Sequence, residues 1–532
     1  MAEGTLTTRL VLNPIKPQSA KQSRLPKASP CSNLATASHE ATSRMSIRHH
    51  GRRSVLVFTL VAGACAGQST PDPANLSSLT IQGSIRSRVE GWRWFAGQGN
   101  SDYAYSGTEL RLGFKQQLES FDWQLELEAP VLLGLPTNAV GSGTQGQLGL
   151  GGSYYIANRL NRNAAMLFPM QGFVRLKNLF GSESNTLQIG RFEFADGSEM
   201  TPEDETLAFI KRASINQRLV GGFAFTHVQR GFYGVRYQHD TPRLNWTILG
   251  AFPTRGVFQV DGWGVMKTAF AYASITRQLP GSKVSAEWRL FGIYYDDWRD
   301  APKTDNRPLA ARQADSRQIR IGTAGAHFLH SAQTPLGTTN LTLWAALQLG
   351  RWGVLDQKAA AFVVEGGLQP RILRRLRPWV RAGYSYGSGD GDGKDGTHGT
   401  FFQLLPTPRQ FALFPFYNMM NNEDAFGILI ARAGRRLTLK HESHWVRLAS
   451  RQDLWYSGGG AFQPWTFGFT GRPSNSAKGL ANVYDINVDY TFSSNVSLTA
   501  YWAHAAGHSV IASIYPANKN ASLGFLELNI KF

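Results

Sequence analysis

From residue 79 onward the chain repeats one pattern, apolar residues alternating with polar ones at a period of two. In "YDINVDYTF", Tyr484, Ile486, Val488, Tyr490 and Phe492 alternate with Asp485, Asn487, Asp489 and Thr491. At the C-terminus Leu526, Leu528, Ile530 and Phe532 alternate with Glu527, Asn529 and Lys531, and Phe121, Trp123, Leu125 and Leu127 do the same with Asp122, Gln124, Glu126 and Glu128. This is the period of half-buried strands. The alternation predicts 18 strands, over 79–91, 106–117, 121–129, 171–178, 187–194, 230–239, 243–252, 268–278, 283–294, 319–331, 340–350, 361–370, 378–387, 425–431, 436–448, 483–492, 497–505 and 523–532. Their connections alternate in length. "HDTPRL", "QLPGSK" and "TFSSN" are short, whereas 130–170, 195–229, 388–424 and 449–482 are long. Short turns at one end and long loops at the other are the layout of an all-β, transmembrane antiparallel barrel of the outer-membrane type. An even strand number puts both ends of the barrel on the short-turn, periplasmic side.

Charge supports the same geometry. One face of the strands is rich in Leu, Val, Phe, Trp and Tyr, as a lipid-facing band requires. The other carries Arg86, Arg88, Arg111, Lys115, Arg175, Lys177, Arg236, Arg289, Arg320 and Arg381. The formal charge is +18 over 532 residues, but residues 1–66 hold nine Lys/Arg against two acids, leaving 46 against 35 in the remainder. Within that basic start, "SIRHHGRRSVLVFTLVAGACA" reads as a signal peptide. Arg48, Arg52 and Arg53 precede a short apolar run, and Ala64-Cys65-Ala66 fits a small-x-small cleavage site. Cleavage after Ala66 is preferred over lipidation at Cys65, because Ala62 stands where a lipoprotein box usually carries Leu. The expected organisation is a disordered 1–44 (a mis-assigned start ahead of Met45, or a transit segment), a signal peptide over 45–66, a periplasmic segment over 67–78 and the barrel over 79–532. Both cysteines, Cys31 and Cys65, precede the expected mature chain, so neither disulfides nor thiol chemistry enter.

Other chemistry is weak. His441/His444 and His327/His330 are three apart, which on a strand puts them on opposite faces. His504/His508 share a face, but four strand residues separate them by about 13 Å, too far for one metal. The run from Asp390 to Gly396 resembles a calcium loop, but Lys394 stands where an oxygen ligand belongs. No G-x-S-x-G elbow occurs. No enzyme, metal or cofactor is expected. One stretch stands out, "GTFFQLLPTPRQFALFPFYNMMNNEDAFG" over 399–427, crowded with aromatics but broken by Pro406, Pro408 and Pro415. Proline is harmful within a central strand, so this segment is expected to be a long-side loop that folds over or into the barrel mouth, or else packs on its outer rim.

Several segments resemble the alginate export family of outer-membrane barrels. "QRLVGGFAFTHVQRGFYGVRY" (217–237) is similar to its QRLIG…R-x-F-x-GVR core, with Tyr233 where many members have Asp. "IGRFEFADG" (189–197), "GSGDGDGKDGTHGTFFQLLPTP" (387–408), "NMMNNEDAF" (418–426) and "DLWYSGGGAFQPWTFGFTGR" (453–472) extend the resemblance over nearly the whole expected mature chain. It implies a monomeric 18-stranded barrel in the bacterial outer membrane that passively conducts an anionic polysaccharide or oligosaccharide through an arginine-lined pore. Arginine suits a polyuronate, because its planar fork pairs with carboxylate and stays charged in a confined lumen. The candidate pore-lining residues are Arg86, Arg88, Arg111, Arg191, Arg218, Arg230, Arg236, Arg289, Arg320, Arg381 and Arg409, each readable as substrate contact or as a salt bridge bracing the interior. Arg191, Arg218, Arg230, Arg236 and Arg381 rank first by their place in or beside the family-like segments. The expected partners are outer-membrane lipid and lipopolysaccharide, the anionic saccharide and periplasmic export machinery, with no nucleic acid. The alternatives are a general or small-anion porin on the same scaffold and, less favoured, an outer-membrane barrel enzyme.

Overall fold

The computed structural model describes residues 79–532 apart from 374 and 408–412. The expected signal peptide, Cys31, Cys65, Pro408 and Arg409 lie outside the described residues. Eighteen strands form the wall: β1 (Thr80–Arg93), β2 (Asp102–Gln117), β3 (Phe121–Leu133), β4 (Phe168–Leu176), β5 (Asn185–Phe192), β6 (Phe232–Asp240), β7 (Leu244–Pro253), β8 (Thr268–Leu279), β9 (Val284–Asp297), β10 (Ile319–Thr334), β11 (Gly337–Trp352), β12 (Leu355–Pro370), β13 (Trp379–Gly387), β14 (Asn422–Ala433), β15 (Leu437–Arg447), β16 (Gly479–Thr491), β17 (Val496–Gly507) and β18 (Asn520–Lys531). Each pairs antiparallel with its neighbours in sequence, and β1 pairs with β18 from Ser84↔Lys531 to Arg93↔Ser522, which closes the barrel. Closure leaves no unpaired edge in the wall. The seam continues to the last residue, where Gly83 N–H donates to the Phe532 carbonyl at 2.8 Å and Phe532 N–H to that of Gly83 at 3.0 Å.

All 18 predicted strands are present. The alternation sets which side chains meet lipid: Leu347, Leu349, Ile486, Trp502 and Leu526 are exposed on the outer face. Their neighbours in sequence point inward, among them Gln348, Asp485, Asn487 and Phe525, all buried. Many strand ends differ by a few residues from the sequence reading, and two of the shifts show their cause. β11 and β12 run to Trp352 and from Leu355, joined by a two-residue turn at Gly353 (φ +63°) in place of a ten-residue connection. The start of β12, "LDQKAA", has no apolar alternation to reveal it. β2 begins at Asp102, because Tyr103 and Tyr105 point inward and reverse the apolar-out phase.

The same reversal corrects one candidate residue. In β10, Ile319 and Ile321 are buried inward, so Arg320 between them faces outward. Its side chain is 57% exposed and pairs with Asp296 on β9 at 3.5 Å. Arg320 therefore belongs to the outer wall near the long-loop rim and does not line the pore.

Candidate functional site: the lumen and its inward loops

The long loops fill the barrel. Residues 193–231, between β5 and β6, descend through the lumen and are fastened to strands on several sides. At the neck, the buried Asp196 carboxylate accepts the N–H groups of Leu219 (3.0 Å) and Val220 (2.9 Å). Lower down a short helix, Glu205–Ile210, starts from Asp204, whose side chain accepts Leu207 N–H at 2.9 Å. Lys211 pairs with Glu287 on β9 (2.7 Å) and Arg289 on β9 with Glu199 (3.2 Å). Ser214 donates to Glu365 on β12 at 3.0 Å, and Arg381 on β13 donates to the Ser214 hydroxyl at 2.6 Å. The returning tip meets β1 and β2. Arg86 donates to the carbonyls of Ala224 (2.7 Å) and Thr226, Arg88 to that of Phe225 (3.1 Å), and Gln229 to Glu109 (2.8 Å). Buried backbone groups need such partners, and here inward arginines supply them.

The described residues of the aromatic stretch over 399–427 lie inside the mouth, and for them the outer-rim alternative does not hold. Phe401, Phe402, Leu404, Leu405, Phe414 and Phe416 are fully buried. Phe402 packs on Trp352 (5.0 Å) and Tyr295 (5.6 Å), and its carbonyl and N–H are both met by the Gln348 side chain, at 2.7 and 2.8 Å. Gly221 N–H donates to the Leu405 carbonyl (2.7 Å) and Leu405 N–H to that of Leu219 (2.8 Å), locking this loop to the descending one. Pro406 and Pro415 sit outside any strand, where their missing N–H breaks no ladder. A third loop, 448–478, carries a small hairpin, Leu454–Gly458 with Phe469–Pro473. Arg230 ties the three together by donating to the carbonyls of Ala461 (2.9 Å), Gly459 and Pro406 (3.3 Å).

Two cavities among the described residues bear on a path through the lumen. An outer one of about 280 Å³ lies among the loops, lined by Trp94, Phe258, Tyr417, Phe462 and Arg472. A lower one of about 460 Å³ is bounded by Arg86, Arg88, Lys440, Asn487, Asp489 and Glu527. Phe225 lines both. At their junction the Arg88 guanidinium is held between the rings of Phe225 and Phe525, 4.6 Å from each centroid. Glu527 and Glu90 (3.2 Å) balance its charge.

The sequence-derived arginines fall into three settings. Arg86 and Arg88 border the lower cavity. Arg111, Arg289 and Arg381 are cross-braced to acids: Arg111 meets Glu109 (2.6 Å), Glu126 (3.1 Å), Glu128 (3.0 Å) and Glu193 (2.8 Å), while Arg381 meets Glu365 at 2.6 Å. Arg191, Arg218, Arg230 and Arg236 bond to carbonyls or an amide, Arg191 to Met170 (3.2 Å), Arg218 to Ser214 and Arg236 to the Gln188 side chain. The residues ranked first by their family-like segments are thus fixed at loop and wall junctions, and the two bordering open space are on β1. Sequence reasoning missed Arg212, Arg432, Lys440 and Arg472. Lys440 was within reach, since "LTLKHESHWV" alternates. The others depend on how loops fold.

One carboxylate makes this arrangement sensitive to pH. Asp453, at the head of the third loop, accepts Thr400 O–H (2.6 Å), Tyr456 O–H (2.7 Å) and the N–H groups of Asp390 (2.9 Å) and Leu454 (2.7 Å). Burial outweighs these donors and pushes it up to about 6. The folded loop therefore keeps a proton that an unfolded aspartate releases near pH 3.9. Loop stability falls as pH rises through this window. Single-channel recordings are expected to show a larger closed fraction at pH 5 than at pH 7. Asp453→Asn, which removes the titration but sets an amide N–H against the N–H of Asp390 or Leu454, is expected to abolish the pH dependence at a closed fraction below the pH 5 level.

Among curated proteins none matches this chain. Among solved structures, the outer membrane protein opdK from Pseudomonas aeruginosa is similar with a TM-score of 0.50 at 9% identity, over 85% of this chain and 99% of that one. Acinetobacter baumannii OccAB2 is similar with a TM-score of 0.51 at 10% identity, over 85% and 98%. Pseudomonas aeruginosa OccK9 (OpdG) scores 0.50 at 11%, with the same coverage. At such identities these likenesses show the fold. The sequence profile of the alginate export family, described as "Alginate export", matches residues 162–510. This match, over well more than half of a closed 18-stranded barrel with a lipid-facing band, places the chain in the bacterial outer membrane as a porin, and the chain belongs to the alginate export family.

Proposed function

We propose that this porin is a selective, passive conduit for an anionic poly- or oligosaccharide of alginate-like chemistry, with no catalytic step. The observation that carries the reading is Arg88 between Phe225 and Phe525 at the junction of the two cavities. A uronate sugar has an apolar ring face and a carboxylate, and a guanidinium flanked by aromatic rings matches both. Glu90 and Glu527 moderate the arginine's field, which favours the weak, repeated binding that passage of a polymer needs. The same contact suggests how the path opens. Arg86 and Arg88 hold the loop tip through the carbonyls of Ala224, Phe225 and Thr226. An arriving carboxylate competes for these donors, and a charge-assisted bond is the stronger one, so substrate releases the tip that blocks it.

In planar bilayers a short oligouronate is expected to interrupt the current. Arg86→Gln with Arg88→Gln is expected to shorten the interruptions and raise the resting conductance. A second reading, a small-anion porin, is favoured by the division of the lumen into spaces of about 280 and 460 Å³, the size of single-ligand sites. Interruption by monomeric carboxylates with none by the oligouronate would select it.

A further inference from the structure

We propose that the periplasmic end of the lumen holds a separate anion-capture site, in which Arg212 and Arg432 lie against the rings of Phe209 and Trp379, with Arg377 beside Arg432, and take up the carboxylates of a uronate chain. The choice of a uronate rests on the function proposed above; the anion site stands on its own geometry.

The platform is aromatic. Phe209, on the helix Glu205–Ile210 of the descending loop, packs against Trp379, the first residue of β13, with centroids 4.9 Å apart. Three guanidinium carbons lie over Phe209, those of Arg432 at 5.2 Å, Arg212 at 5.7 Å and Arg381 at 5.8 Å. Arg432 also lies 6.0 Å from Trp379. The three cations differ in one respect. Arg381 is neutralised by Glu365. Among the described residues neither Arg212 nor Arg432 makes an ion pair with a carboxylate, in contrast to Arg86, Arg88, Arg111, Arg289 and Arg381. Arg432 instead faces Arg212 and Arg377, with Glu205 as its nearby acid. Arg377 uses one guanidinium nitrogen on the Gly434 carbonyl at 2.6 Å and is otherwise exposed. Arg432 is repelled by both Arg377 and Arg212 and has one carboxylate near it, which leaves a net positive cluster. Guanidinium groups do not relieve such repulsion by losing a proton, whereas a bound anion relieves it directly.

The site is held at the periplasmic end by its supports. Thr206 of the helix accepts a bond from Gln369, near the lower end of β12, at 3.1 Å. Arg377 lies in the turn between β12 and β13, and Arg432 near the lower end of β14. Arg432 N–H donates to the Leu376 carbonyl at 2.6 Å, joining the two turns. The site opens upward: Phe209 and Ile430 line the lower cavity that also contains Lys440, Arg86 and Arg88. A carboxylate leaving Arg212 and Arg432 therefore meets the next cations on its way to the Phe225 constriction. This arrangement gives the passive pore a preferred side for capture.

The test is sided addition. A short oligouronate is added to the periplasmic or to the extracellular face of single barrels of known orientation, and the rate of current interruptions is read. Arg212→Gln with Arg432→Gln is expected to lower the rate from the periplasmic side by roughly ten-fold, the low end of what electrostatic steering contributes. The rate from the extracellular side is expected to stay the same, and the difference to shrink in high salt. An unchanged periplasmic rate overturns the site. If the unsubstituted barrel is not interrupted from either face, the saccharide reading fails, and the site is then judged by the reversal potential in a potassium chloride gradient. A shift of the double variant toward cation preference supports it, and no shift overturns it.

Discussion

Shortening the descending loop, by replacing residues 199–228 with a brief Gly/Ser linker, is expected to raise single-channel conductance several-fold while the barrel still folds. The expectation follows from where the loop's contacts lie. It reaches β1 through Arg86 and Arg88, β9 through Glu287 and Arg289, and β12 through Glu365, so it crosses the lumen rather than hugging one side. The wall does not depend on it, since every wall strand is hydrogen-bonded to two others. Lid loops of this kind commonly set the rate of passage. Retained heat-modifiable migration on a gel establishes folding. An unchanged conductance in a folded barrel shows that the path lies elsewhere.

Arg111→Ala is expected to be the most damaging single substitution in the lumen. One guanidinium stands among the carboxylates of Glu109, Glu126, Glu128 and Glu193, with Glu128 fully buried. Removing one member of a buried ion pair typically costs about 3–5 kcal/mol, because the partner charge is left uncompensated. Here several acids lose their common partner, although Arg86 remains beside Glu109. Glu193 begins the descending loop, so the loop neck is expected to loosen as well. Urea unfolding read by tryptophan fluorescence measures the loss. Adding Glu128→Gln to Arg111→Gln is expected to recover part of it. An effect no larger than that of an exposed pair such as Arg93–Asp102 contradicts the assignment.

The wall was legible because lipid enforces it. Where one face must be apolar, as at Ile486 or Leu526, a period of two has to appear in the sequence, and all 18 strands follow from it. The reading failed where inward residues are themselves apolar. Ile319 and Ile321 pack on the loops and turn Arg320 outward, while Tyr103 and Tyr105 hide the start of β2. The site was less legible, for a related reason. Strands supply much of its lower lining, but which of them stay open depends on loops whose paths are set by contacts distant in sequence, such as Gly221 with Leu405 or Arg230 with Ala461. The aromatic, proline-broken stretch could be assigned to the mouth, since rings such as Phe402 and Phe416 need cover from water. Which arginines would border open space could not be assigned, because the partners that occupy the others come from other strands, as Glu365 does for Arg381, or from the loops, as Glu199 does for Arg289. Arg212 and Arg432 carry no local signal at all.

The central claim is that the lumen passes saccharides by their charge. It is tested most directly by efflux from liposomes reconstituted with this porin and loaded with a mixture of labelled oligouronate and a neutral glucan of equal length. The account predicts that the oligouronate leaves faster and that Arg86→Gln with Arg88→Gln removes the difference. Equal efflux of the two sugars from the unsubstituted porin, or a preference that survives the double substitution, contradicts it.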